Sequence, residues 1–270
     1  MKRVLTVVLV LICTLYAALV GLALISDRLI FQPQPSSYAD EGLSANLSRL
    51  PEPGHFMHII SGGERISALY LPNSKARFTL LFSHGNAEDI GDDLPLMQLF
   101  REAGFSVFAY DYRGYGTSTG RPSEKAVYED AEAAYDFLTR KLGVSPDHVI
   151  AMGRSVGCAP AIHLAANRPV RALIAEAPFT SAFRVLTRVP LLPWDKFNNV
   201  RTIRKVHVPV LIIHGRNDEV ISFWHGEKVF RAANEPKRFV PIERARHNDV
   251  MFVAGPMYFQ VLADFANQWK

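Results

Sequence analysis

Residues Gly153-Arg154-Ser155-Val156-Gly157 constrain this chain more than any other stretch. They form a G-x-S-x-G between an apolar, strand-like run, His148 to Met152, and a helix-like run, Cys158 to Ala166. In that setting the pattern reads as a nucleophile elbow, a sharp strand-to-helix turn that strains its serine and lifts the hydroxyl clear of the sheet. Backbone crowds such a turn, so the flanking positions must be small, as Gly153 and Gly157 are. An ordinary helix N-cap serine is the competing reading, and a cap needs no glycine on either side. By composition alone, a chain of this size meets the pattern by accident in roughly 10% of cases. The remaining polar signals must therefore carry part of the argument.

Downstream, the apolar run Val210-Leu211-Ile212-Ile213 ends in His214-Gly215-Arg216-Asn217-Asp218-Glu219, which puts a carboxylate just past a buried strand. Asp218 is the expected acid, with Glu219 or a simple helix cap as alternatives. Later, Arg238 to Ile242 leads into Glu243-Arg244-Ala245-Arg246-His247-Asn248-Asp249, a loop before the final helix. His247 is the expected general base. His84 and His214 precede glycines at strand ends and read as loop-shaping residues, while His163, two helical turns past Ser155, reads as packed or exposed. Upstream, Phe78 to Phe82 runs into Ser83-His84-Gly85-Asn86-Ala87, where the backbone N–H of Asn86 would join that of Val156 as an oxyanion hole. No histidine, cysteine or carboxylate spacing suits a metal, so neither metal nor cofactor is expected.

These residues, with Asp111-Tyr112-Arg113-Gly114-Tyr115-Gly116, give a chain that resembles the α/β-hydrolase superfamily over roughly Phe56 to Phe265. Within it, the chain is similar to the small membrane-associated hydrolases that include the eukaryotic depalmitoylating thioesterases. The order serine, aspartate, histidine is that of α/β-hydrolases, and differs from the chymotrypsin and subtilisin orders. The resemblance implies an esterase-type activity with Ser155, Asp218 and His247 as triad. It departs from the depalmitoylating enzymes at two points: they carry a glutamine where Arg154 stands, and a lipidated cysteine cluster where this chain has one long apolar segment.

That segment, Val4 to Ile25, has no charge. As a helix rising about 1.5 Å per residue it would cross a hydrocarbon core of roughly 30 Å. An uncleaved single-pass anchor is expected over residues 1–30, although Gly21-Leu22-Ala23 offers a cleavage site for a signal peptide. Lys2, Arg3 and the α-amino group weakly place the N-terminus in the cytoplasm and the catalytic domain on the periplasmic or extracellular side. A hairpin or interfacial helix would place the domain inward instead. Residues 31–55 then read as a linker, and 56–270 as one catalytic domain. A net charge of +4 without long basic runs gives no reason to expect nucleic acid as a partner. The two cysteines, Cys13 and Cys158, are too far apart in role to pair.

Apolar strands alternating with helices, as in Phe105 to Tyr110 followed by Ser123 to about Leu142, predict a mostly parallel central sheet covered on both faces. Two antiparallel strands, Met57 to Ile60 and Ile66 to Leu71, should begin it. Arg113 and Tyr115 read as fixing their own glycine-rich turn. A short cap is expected from Pro178 to Pro209, with six basic residues, the single acid Asp195, and interleaved apolar side chains such as Phe183, Leu186, Leu191 and Trp194. Those side chains either pack on the core or form a shallow acyl site beside Ser155 near a membrane surface. The expected substrate is an acyl ester or thioester. An aminopeptidase or amidase on the same triad, or a non-catalytic membrane-tethered binding protein, stays open.

Overall fold

The computed structural model describes residues 2–268. Helix α1 (Lys2–Leu24) runs into the short α2 (Ser26–Ile30) and, after an extended strap, α3 (Asp40–Ser48). Strands β1 (His55–Ser61), β2 (Glu64–Leu71) and β3 (Thr79–Ser83) follow, then α4 (Leu94–Glu102), β4 (Ser106–Tyr110), α5 (Glu124–Asp136) and β5 (Val149–Arg154). Helix α6 (Cys158–Asn167) and β6 (Ala172–Glu176) precede a cap holding α7 (Ala182–Leu186) and α8 (Asn199–Thr202). The chain closes through β7 (Val210–Gly215), α9 (Trp224–Ala232), β8 (Lys237–Ile242), α10 (Val250–Ala254) and α11 (Pro256–Gln268).

The eight strands form one sheet in the order β1-β2-β4-β3-β5-β6-β7-β8. The β1–β2 and β2–β4 pairs are antiparallel, and every other pair is parallel. This is the mostly parallel sheet expected from the alternation of strands and helices, and the α/β-hydrolase fold that the resemblance implies. Because successive strand residues face opposite ways, β5 supplies both cores: Val149 and Ala151 join the cluster under α5 and α6, whereas Ile150 and Met152 join the one under α4 and α11. Burial on both faces is what makes the central strands read as unbroken apolar runs.

Three local features depart from the sequence reading. Residues 31–55, expected as a linker, pack against the domain: Leu43 and Leu47, one helical turn apart on α3, are buried with Leu69 and Leu71, and Phe31 enters the other core. The helix expected to reach Leu142 stays regular only to Asp136. It then widens over Phe137–Lys141, with the N–H of Leu142 reaching back to the Phe137 carbonyl. The last helix is divided, since Gly255 adopts φ 55° and Pro256 starts α11. Of α1, only its C-terminal end touches the body of the protein, through Ala23; residues Val4 to Leu15 stand exposed.

Candidate active site

Ser155 sits at the turn between β5 and α6 with φ 54°, a left-handed conformation that costs a non-glycine residue of order 1–3 kcal/mol. The flanking glycines allow the strand and helix to close on it. A Cβ on Gly153 would run into the Gly157 carbonyl, and one on Gly157 into the Ser83 carbonyl. Any larger residue at either position would open the turn. The sheet itself therefore holds the Ser155 hydroxyl out at the carboxyl end of β5, beside the loop after β3.

Asp218 and His247 come from the loops after β7 and β8, and backbone stitches these loops together. The N–H of Arg216 donates to Ile242 O at 3.0 Å, and that of Asn217 to Ala245 O at 2.9 Å. Gly215 makes this approach possible, because a Cβ there would strike the Ala245 carbonyl. The result is a row of three: Asp218 Oδ2 lies 2.8 Å from His247 Nδ1, and His247 Nε2 lies 3.0 Å from Ser155 Oγ. An ionised Asp218 can only accept, so Nδ1 carries the proton and Nε2 is left as acceptor for the serine hydroxyl.

The Asp218 carboxylate is heavily supported. Burial alone would raise its pKa. Contacts from His214 and His247, and the N–H of Ile221 at 2.6 Å, outweigh that and hold it well below the usual carboxylate range. The Val220 N–H adds a further donor at 2.9 Å. His214 is one of the two histidines read from sequence as loop-shaping. It is buried, with Nε2 2.8 Å from the Ile221 carbonyl and 3.3 Å from Asp218 Oδ2, so it braces the same carboxylate oxygen that meets His247. Glu219, the competing acid, is exposed and accepts from the His247 backbone N–H at 3.4 Å.

Asn86 and Val156 line the same cavity of about 380 Å³ as Ser155 and His247. The Asn86 side chain is held by partners no motif announces. Its Oδ1 accepts from the Tyr115 hydroxyl at 2.6 Å and from the Gln32 N–H at 3.0 Å, while its Nδ2 donates to Ile30 O at 2.8 Å. Tyr115 thus reaches out of its own turn to the loop beside Ser155, and Arg113 leaves it as well, pairing with Glu129 and Asp130 on α5 and donating to Ser61 Oγ on β1 at 3.1 Å. Glu88 secures the other side of that loop. It accepts from the Gly85 N–H and pairs with Arg154, whose guanidinium also lies 3.4 Å from Asp93. Asp93 is buried and its Oδ2 has no hydrogen-bond partner among the described residues; burial first, and the charge of Glu88 second, raise its pKa despite Arg154.

Two of the remaining histidines stay out of the row. His84 is buried with Nδ1 2.8 Å from the Gly85 carbonyl, and His163 stacks on Tyr128 beside Glu132. Tyr115, Glu88 and the Ile30–Gln32 backbone are the contributors that sequence reasoning missed. Tyr115 in a glycine-rich turn and Glu88 three residues past Gly85 were visible, but their partners lie 29 and 66 residues away along the chain.

A serine on a strained elbow past β5, with a carboxylate and a histidine on the loops after β7 and β8 of this sheet, is the arrangement of an α/β-hydrolase. Comparison with known proteins agrees. A family model described as "Serine aminopeptidase, S33" matches residues 74–197. Over 217 residues the chain is 41% identical to alpha/beta hydrolase domain-containing protein 17B of Xenopus tropicalis, covering 79% of this chain and 75% of that protein. The human 17B protein is 40% identical with the same coverage. Among solved structures, an esterase of Pyrococcus furiosus superposes with a TM-score of 0.72 over 88% of this chain and 98% of that one, at 16% identity. The chain belongs to the α/β-hydrolase superfamily, in the subfamily of the domain-containing 17 proteins.

Proposed function

We propose that this hydrolase is a membrane-anchored serine esterase or thioesterase acting through Ser155, His247 and Asp218. Ser155 Oγ attacks the acyl carbonyl carbon while His247 Nε2 takes its proton, and Asp218 steadies the imidazolium. The carbonyl oxygen, now negative, receives the backbone N–H groups of Asn86 and Val156. Collapse expels the alcohol or thiol, which leaves with the proton from His247, and water then releases the acyl group by the same steps. The observation that supports this reading is the Asp218–His247–Ser155 row opening into the cavity that Asn86 and Val156 line.

The alternatives fit less well. An aminopeptidase needs a free acid for the substrate's amino group. Glu88, the only acid lining the cavity among the described residues, is engaged by Gly85 and Arg154. The apolar lining from Phe179, Val185, Leu186 and Ile221 favours an acyl group. For the N-terminus, α1 is long and apolar enough to cross a membrane, and the burial of Ala23 and Ser26 at its foot supports retention over cleavage. Because Lys2 and Arg3 precede the apolar segment, the positive-inside rule supports reading the domain as extracytoplasmic.

Labelling by a fluorophosphonate probe tests the reading, with the full chain in phosphatidylcholine vesicles. Labelling of the natural chain that vanishes in Ser155→Ala is expected, along with Ser155-dependent turnover of acyl esters. Equal labelling of a folded Ser155→Ala variant would overturn it.

A further inference from the structure

The cavity at Ser155 does not end beside the serine. A second, largely apolar cavity of about 250 Å³ adjoins it, and Leu29, Ile30, Ala182 and Leu186 line both. Its walls come from two segments far apart in sequence. One is the foot of α1 with α2, through Leu19, Leu22 and Ala23; the other is the cap, through Phe183, Leu191 and Trp194. The segments are fastened as well as adjacent. Lys196 Nζ pairs with Asp27 Oδ1 at 2.7 Å, and Phe31 packs edge-on against Phe197. Within the cap, Asp195 accepts from Ser181 Oγ at 2.6 Å and from the Phe183 and Lys196 N–H groups at 2.9 and 2.8 Å, which closes the loop on itself.

The rim of this second cavity is unusual for a surface in water. Leu22, Leu29, Leu191 and Trp194 are exposed, and Leu186 at the cap tip is 91% exposed. Contiguous exposed apolar side chains of this kind mark a contact with lipid or ligand, and these lie where α1 meets the domain. Polar groups are sparse along the lining, so a charged or hydrogen-bonding ligand would leave its own groups unpaired there. The remaining ligand chemistry is a single aliphatic chain.

The geometry points to an acyl-chain groove whose one wall is the N-terminal helix itself: the fatty chain of the substrate runs from Ser155 past Leu29 and Ile30 and lies between the foot of α1 and the cap. This rests on the serine hydrolase reading above and extends it. The helix that would hold the protein in the bilayer then also forms part of the substrate site. A chain leaving the bilayer beside α1 reaches the groove through its apolar rim.

Two experiments test the groove, both on the full chain in phosphatidylcholine vesicles. In the first, a long-chain alkyl fluorophosphonate with a diazirine at its far end is attached to Ser155 and photolysed. Crosslinks to residues 19–30 and 182–195 are expected. Crosslinks solely to lipid or to other parts of the chain overturn the groove while leaving the serine reading intact, and a natural chain that is never labelled at Ser155 sinks both. In the second, Ala23→Phe, which fills the groove, should lower the dodecanoyl-to-butanoyl ratio of kcat/KM by roughly ten- to hundredfold. Trp194→Ala, which widens it, should shift the optimum toward longer chains. Ratios equal to the natural protein's in both variants refute the groove.

Discussion

The two sides of the Ser155 cavity are built in opposite ways. On the chemical side the acid and the loop after β3 are each held at more than one point: Asp218 by two histidines and two backbone N–H groups, and the loop by Glu88 and Tyr115. All of it hangs from the carboxyl ends of strands buried on both faces. On the substrate side, α2 and α7 are five residues each, the wall is apolar, and much of it is exposed. The difference separates what catalysis needs from what binding a chain needs. Stabilising a developing charge demands donors fixed in place before reaction, whereas an aliphatic chain asks only for apolar surface of about the right width.

The largest test of this contrast is at the acid. Asp218→Asn should fold and keep its substrate affinity, yet lose roughly three to four orders of magnitude in kcat, because the imidazole loses its preferred tautomer. Glu219→Gln, with its exposed side chain, should leave kcat near the natural value. Steady-state kinetics on one short-chain ester checks both, and a reversal of the two effects would move the acid to Glu219.

A smaller effect is expected at the bracing of the loop after β3. Tyr115→Phe removes one of the two donors to Asn86 Oδ1 and leaves the Gln32 N–H in place. Loss of a hydrogen bond worth about 0.5–1.5 kcal/mol, felt in the transition state, lowers kcat roughly two- to tenfold. KM should hardly change if the loop meets the developing oxyanion as proposed. A rise in KM at constant kcat would instead assign Tyr115 to substrate binding.

The smallest effect concerns stability alone. Asp93 has a raised pKa in the folded protein, so the native state holds a proton that the unfolded chain releases above its ordinary carboxylate value. Stability contributed at this position is therefore present in acid and declines as pH rises from about 4 through the raised folded value. Asp93→Asn removes that decline, so its Tm relative to the natural protein should improve between pH 5 and pH 9. A Tm difference independent of pH would mean that Arg154 keeps Asp93 ionised throughout.

The sheet was legible because its grammar is local. Val149 to Met152 and Val210 to Ile213 are apolar runs bounded by turns, and the elbow's glycines are demanded within five residues. Ser155, Asp218 and His247 were selected from chain order and loop position, and the fold sets them in one hydrogen-bonded row. What escaped notice depends on contacts between distant segments. Leu43 and Leu47 sit in a stretch too polar and short to announce a packed helix. Gly255-Pro256 divides a helix whose apolar spacing runs through the break. Gln32 contributes only its backbone, which carries no signature at all.

The strap from Ile30 to Gln32 has one more consequence, for any shortened form of this protein. Its two contacts with Asn86 lie six and eight residues past the end of α1, so the apolar N-terminal helix and the loop after β3 share a footing. A cut placed ahead of residue 19 would spare that footing and both walls of the second cavity. A cut at the expected domain start, near residue 56, would discard the support of Asn86 along with α1. The N-terminal helix and the domain are thus not interchangeable modules, and a graft onto another N-terminal segment would have to carry residues 19–38 with it.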